Sequence, residues 1–96
     1  MDDAKRFLGL ARRAGKLAVG VEDVKKAVKA GKAALVLKAK DISPASLGGL
    51  DALDIGWTME EMGAALGIRL CGAAAVTDKG MADTLARKMG ISSMQR

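Results

Sequence analysis

Apolar residues recur along this chain with two different spacings, and the alternation of the two predicts its layout. From Asp3 to Ala14, the residues Phe7, Leu8, Leu10, Ala11 and Ala14 form one side of a helix with Lys5, Arg6, Arg12 and Arg13 elsewhere, and Gly15 stops it. Lys16 to Val19 reads as a short strand. After Gly20, the positions Val21, Val24, Ala27 and Val28 repeat at helical spacing against Lys25, Lys26, Lys29 and Lys32, until Gly31 ends the helix. Ala33 to Leu37 is an unbroken apolar run, as a strand covered on both faces requires, and Lys38 to Pro44 is expected to leave the sheet.

The second half is read in the same way. Ser46-Leu47-Gly48-Gly49-Leu50 is too rich in glycine for a robust helix and is expected as a loop or one frayed turn. Leu53 to Trp57 alternates like a strand. Thr58 and Glu61 have capping-box spacing and open a helix with Met59, Met62 and Leu66 on its stripe, ending at Gly67. Ile68 to Gly72 is then an apolar loop and Ala73 to Val76 a strand. Thr77 or Asp78 caps a last helix with Met81, Leu85 and Met89 inward, closed by Gly90 before a tail, Ile91 to Arg96, that is expected to fray. Helices alternating with short strands predict an α/β fold, a three-layer α-β-α sandwich around a four-stranded mixed sheet.

Composition narrows the chemistry. At 96 residues the chain is expected to be one domain, residues 1–96, and with 2% aromatics its core must rely on small aliphatics and six Met residues. No apolar run approaches the roughly 18 residues of a membrane span, and the acidic start lacks the cations of a signal peptide, so a soluble cytoplasmic protein is expected. The single Cys71 excludes an internal disulfide, and the absence of histidine removes Cys/His zinc sets and imidazole triads. Gly31-Lys32 fails as a phosphate loop, because Ala33 replaces the Ser/Thr and Lys26 stands where the first glycine belongs. No cofactor and no metal is implied, and a non-enzyme is expected. Glu60 and Glu61 point in different directions on a helix, and Cys71 sits in an apolar stretch that suits an inert thiol.

Net charge is +5, unevenly distributed. Residues 1–40 hold eleven Lys/Arg against four Asp/Glu, while residues 41–96 hold five against seven. A basic half suits phosphate, although a solvated surface has the same composition. Phe7 and Trp57 are the only rings, and both are expected to pack, so any RNA recognition leans on shape, phosphate contacts and base edges rather than stacking.

Two stretches are candidates for that recognition. In Gly20-Val21-Glu22-Asp23-Val24-Lys25-Lys26 the glycine lets a backbone come close and the helix-start amides attract anions. Glu22 and Asp23 can accept from a guanine's N1–H and amine, with Lys25, Lys26 and Lys29 on phosphates. The competing explanation is an intrahelical Glu22–Lys26 ion pair, worth about 0.2–0.5 kcal/mol. The second stretch, Ile68-Arg69-Leu70-Cys71-Gly72-Ala73-Ala74, fits ordinary core and a cover over an unstacked base equally well, with Gly72 permitting close approach.

The order Leu8-Gly9-Leu10-Ala11-Arg12-Arg13-Ala14-Gly15-Lys16, then Gly20 to Lys26, then Lys32 to Asp41, then Gly67 to Gly80 resembles the large-subunit ribosomal proteins of the seven-Ae and thirty-e type, and is closest to their small bacterial ribosomal-protein-like members. The resemblance spans nearly the whole chain. It implies an α-β-α sandwich without catalytic activity that binds kink-turns, sharply bent RNA elements with tandem sheared G·A pairs. The family's turn motif falls on Gly20, Val21, Glu22, Asp23 and Lys26, and its hydrophobic loop over the flipped-out nucleotide falls on Ile68 to Ala74. Arg12, Arg13, Lys16, Lys38 and Lys40 are expected to supply phosphate contacts.

Three departures accompany the likeness. Glu22-Asp23 stands where many members have Asn-Glu, which shortens the guanine-reading carboxylate. The loop holds an extra residue around Leu70-Cys71. Pro44 to Ala52 replaces a well-formed helix, which would leave one sheet face open and favour weak self-association through residues 44–52. The expected function is recognition of structured, kink-turn-like or ribosomal RNA. The alternative is a structural or protein-interaction component of a ribonucleoprotein that touches RNA only through charge.

Overall fold

The computed structural model describes residues 3–90, so the tail Ile91 to Arg96 lies outside the described residues. In chain order the elements are α1 (Asp3–Arg13), β1 (Leu17–Val19), α2 (Val21–Lys29), β2 (Leu35–Lys38), α3 (Pro44–Leu47), β3 (Leu53–Asp54), α4 (Met59–Leu66), β4 (Ala73–Val76) and α5 (Lys79–Lys88). The strands form one mixed sheet in the order β1-β4-β2-β3. β4 pairs antiparallel with β1 and β2, whereas β2 and β3 are parallel.

Helices cover both faces, making the three layers of an α-β-α sandwich. On one face Leu8 of α1, Met62 and Leu66 of α4 and Leu85 of α5 pack on Leu35, Leu37, Ala74 and Val76. On the other, Val24 of α2 and Leu47 of α3 pack on Ala73 and Ala75. The β4 side chains on that second face, Ala73 and Ala75, are short, so the α2–α3 layer can lie close to the sheet.

Local signals account for the helix ends. Thr58 and Glu61 form the expected reciprocal capping box, with Thr58 N–H donating to Glu61 Oε1 at 2.8 Å and Glu61 N–H to Thr58 Oγ1 at 3.0 Å. Asp78, rather than Thr77, caps α5 by accepting from Met81 N–H. Lys88 Nζ reaches Asp3 Oδ2 at 2.8 Å and lies over the Phe7 ring, tying the end of α5 to the start of α1.

Three expectations need correction. Lys38 remains in the sheet as the last residue of β2, opposite Ala73, while Ala33 and Ala34 precede the strand. The strand expected over Leu53–Trp57 is only Leu53–Asp54, because Asp54 Oδ1 accepts from Gly56 N–H at 2.9 Å and Gly56 has φ +79°, which turns the chain away. The third concerns residues 44–52. They contain a one-turn helix capped by Ser43, whose Leu47 is buried, and Ala73 and Ala75 beneath are inaccessible. Over β4, then, this face is covered rather than open.

Candidate functional site

The end of β1, the start of β4 and the end of β2 meet at one edge of the sandwich. Gly20 N–H donates to Ala73 O at 2.9 Å, and Ala39 N–H donates to Gly72 O at 3.0 Å. These bonds bring together two stretches about fifty residues apart in sequence: the start of α2 and the loop from Ile68 to Gly72. Gly20 makes the junction possible. Its φ of 94° and ψ of 152° lie in a region that side-chain-bearing residues avoid, and α2 begins at the next residue.

The start of α2 carries its two carboxylates outward. Glu22 and Asp23 are exposed, and among the described residues the only ion pair is Lys88–Asp3, so the Glu22–Lys26 pair does not form. Gly20 provides no side-chain cap, which leaves first-turn N–H groups of α2 available. Val24 faces the core, whereas Lys26 and Lys29 are exposed. Lys25 is half-buried against α3, and a Cβ at Gly48 would lie 2.5 Å from its Nζ. Between α2 and α3 runs a groove of about 440 Å³ lined by Glu22, Lys25, Lys26, Lys29, Gly48 and Leu50. Gly48 and Leu50 were absent from the sequence-based candidates, although the Gly48-Gly49 pair marks the turn that creates this wall.

The 68–74 loop divides its side chains. Leu70 is 48% exposed and Arg69 points to solvent, with Ile68 half-buried against the core. Cys71, Ala73 and Ala74 face inward, so their side chains are out of reach of any ligand. Burial pushes the Cys71 thiol up, and its Sγ donates to Ala73 O at 3.2 Å. Gly72 does not offer open space: a Cβ there would meet Ile42 Cδ1 at 2.5 Å, so its lack of a side chain serves internal packing. Three contacts invisible at short range hold the loop and the helix start it leans on. Gly63 on α4 lets the backbone of Ile68 and Arg69 cross it, for a Cβ there would be 2.6 Å from Arg69 O. Cys71 N–H also donates to Met59 O, and Asp41 Oδ1 accepts from Met59 N–H at 2.8 Å.

The other basic candidates scatter. Arg12 donates to Leu66 O, occupying one of the carbonyls left free at the end of α4, and its charge also reaches Cys71. Arg13 lines a different groove, between α1 and α4. Lys16 lies at the far end of β1, where its carbonyl accepts from Thr77 N–H. Lys29 lies about 12 Å along α2 from the Gly20 end. Lys38 is half-buried beside Asp54, and Lys40 faces the start of α4, where the Glu61 carboxyl is held below its ordinary value chiefly by the Thr58 backbone N–H and only slightly by the Lys40 charge.

Among known proteins, no curated sequence is a significant match. A solved structure of a protein with unknown function from Bacillus halodurans C superposes with a TM-score of 0.84, at 26% identity over 94% of this chain and 99% of that one. Residues 2–54, with the complete α2 motif, match the Ribosomal protein L7Ae/L30e/S12e/Gadd45 family, and the chain belongs to that family.

Proposed function

We propose that this protein is a non-catalytic, ribosome-associated RNA-binding module that recognises kink-turn-like RNA at the edge where α2 and the 68–74 loop meet. In this reading the backbone at Gly20 and Val21 lies against the RNA, while Glu22 and Asp23 accept from guanine edges of the G·A pairs. Lys25 and Lys26 contact the flanking phosphates, with Lys29 extending that track along the α2–α3 groove. Ile68, Arg69 and Leu70 cover the extruded base, and Lys38 supports the edge electrostatically. Arg13 and Lys16 drop out of the interface.

The observation that carries this reading is the 2.9 Å bond from Gly20 N–H to Ala73 O, which joins unpaired carboxylates to a loop presenting an exposed leucine. Exposed acids on a basic protein repel phosphate, so their placement beside that loop is best explained by donors on base edges.

The test compares a generic kink-turn with the same RNA carrying mutated G·A pairs. Wild type is expected to prefer the intact element, and Asp23→Ala to lose that preference by about 1–3 kcal/mol, whereas Lys29→Ala weakens both RNAs alike. Affinity should also fall by about 0.7–0.9 log units per tenfold salt for each phosphate neutralised. Equal competition by plain duplex would show binding through charge alone and refute base reading.

A further inference from the structure

We propose that the valley between α1 and α4, across the sheet from α2, docks an acidic amphipathic helix of a partner protein. α1 turns Ala4, Leu8 and Ala11 inward, and α4 turns Met62, Gly63 and Leu66 inward. Their outer sides meet closely, since a Cβ at Gly9 would stand 3.0 Å from Ala65 O. The result is a groove of about 620 Å³ with mostly apolar walls, floored by Gly9, Ala64 and Ala65. Leu10, 47% exposed, stands at its edge.

Charge selects the occupant. Lys5, Arg6 and Arg13 border the groove, and Glu61 is its one acid. That carboxylate is already taken by Thr58 N–H, and Lys5 Nζ sits 5.3 Å from the Trp57 ring centroid. Arg6 and Arg13 therefore dominate the rim. They are seven residues apart on α1, so they project from nearly the same side about 10 Å from each other. A partner helix carrying acidic residues at i and i+7 has the same separation, and apolar residues at i+3 and i+4 between them would meet Leu10 and the small floor. An RNA strand fits this surface less well. It brings charge along its whole length and no apolar group for Leu10, and the groove lining contains no ring on which a base could stack.

Because the groove and the α2 edge lie on opposite layers, the chain can hold RNA and a protein together, and the proposal stands apart from the RNA reading. The probe is a labelled, lactam-bridged helical peptide of about 14 residues, with Glu at i and i+7 and Leu at i+3 and i+4, titrated against the full chain by fluorescence anisotropy. Expected are saturable binding, a loss of about five- to tenfold in Arg6→Glu, and recovery when the facing peptide Glu becomes Lys. Ala64→Gln, at an exposed helical position, should also weaken the peptide while leaving the thermal midpoint and RNA affinity in place. Absence of saturable binding, or binding indifferent to both substitutions, overturns the proposal. Displacement of the peptide by plain RNA duplex as readily as by unlabelled peptide assigns the groove to nucleic acid and overturns it too.

Discussion

Replacing Gly20 by Asn tests whether the backbone at the β1–α2 junction is what builds the candidate site. Gly20 has φ 94° and ψ 152°, whereas Gly67, which ends α4, has φ 77° and ψ 25°. Nothing lies within 4 Å of a Cβ at either position, so crowding cannot distinguish them and only torsional preference remains. Asn enters the left-handed helical region readily and is a common helix terminator there, but it gains no such relief where ψ is extended. Gly67→Asn should therefore cost less than about 1 kcal/mol, and Gly20→Asn about 1–3 kcal/mol. For a domain of this size each 1 kcal/mol moves the midpoint by about 4–8 °C, so Gly20→Asn should lower it by roughly 5–20 °C. Thermal unfolding followed by far-ultraviolet circular dichroism measures both. A Gly20→Asn midpoint equal to that of Gly67→Asn would show that the junction relaxes to another geometry and that the site does not depend on this backbone.

Gly63→Ala drives a methyl into the backbone carbonyls of Ile68 and Arg69, at 2.8 and 2.6 Å, and should cost about 1–3 kcal/mol while weakening kink-turn RNA more than plain duplex. Unchanged discrimination in gel shifts would detach the loop from recognition. Glu61 is held below its ordinary value of 4.5, first by the Thr58 backbone N–H, so its stabilisation is complete above that value and is lost as pH falls through the lower folded one. Glu61→Gln should accordingly lose less stability than wild type as urea midpoints are followed from about pH 5 to pH 3, and superimposable profiles would contradict the capping role. Cys71, buried with its thiol pushed up, should resist iodoacetamide in the native chain and react on unfolding in urea. Rapid stoichiometric labelling without denaturant, read by intact mass, would show that this part of the loop opens.

The reach of local signals ended at recognisable places. The helices at 3–13, 21–29, 59–66 and 79–88 follow from apolar periodicity bounded by glycines and caps, because those signals act through hydrogen bonds and dihedrals within one or two turns of chain. Ser43 has the same capping chemistry, yet glycines at 48 and 49 mask the short helix it starts, which persists because Leu47 finds the alanine face of β4. The strand expected to continue to Trp57 is cut short by an Asp54–Gly56 turn whose residues were legible but whose outcome depended on pairing with β2.

For the candidate site the division is sharper. The motif from Gly20 to Lys26 is visible in the amino-acid order, because its residue types advertise a glycine junction, acids and cations at a helix start. That Leu70 stands exposed in the loop leading to Ala73, which bonds Gly20, that Gly72 is filled by Ile42, and that Arg13 and Lys16 lie elsewhere are matters of tertiary structure alone. Sheet register sets them: the antiparallel pairing of Val19 with Ala74 carries Gly20 to Ala73, and no interaction within either segment encodes that meeting. Short-range order follows from the chain's own dihedral preferences. The company each residue keeps follows from which strands pair and how closely small side chains let the layers approach.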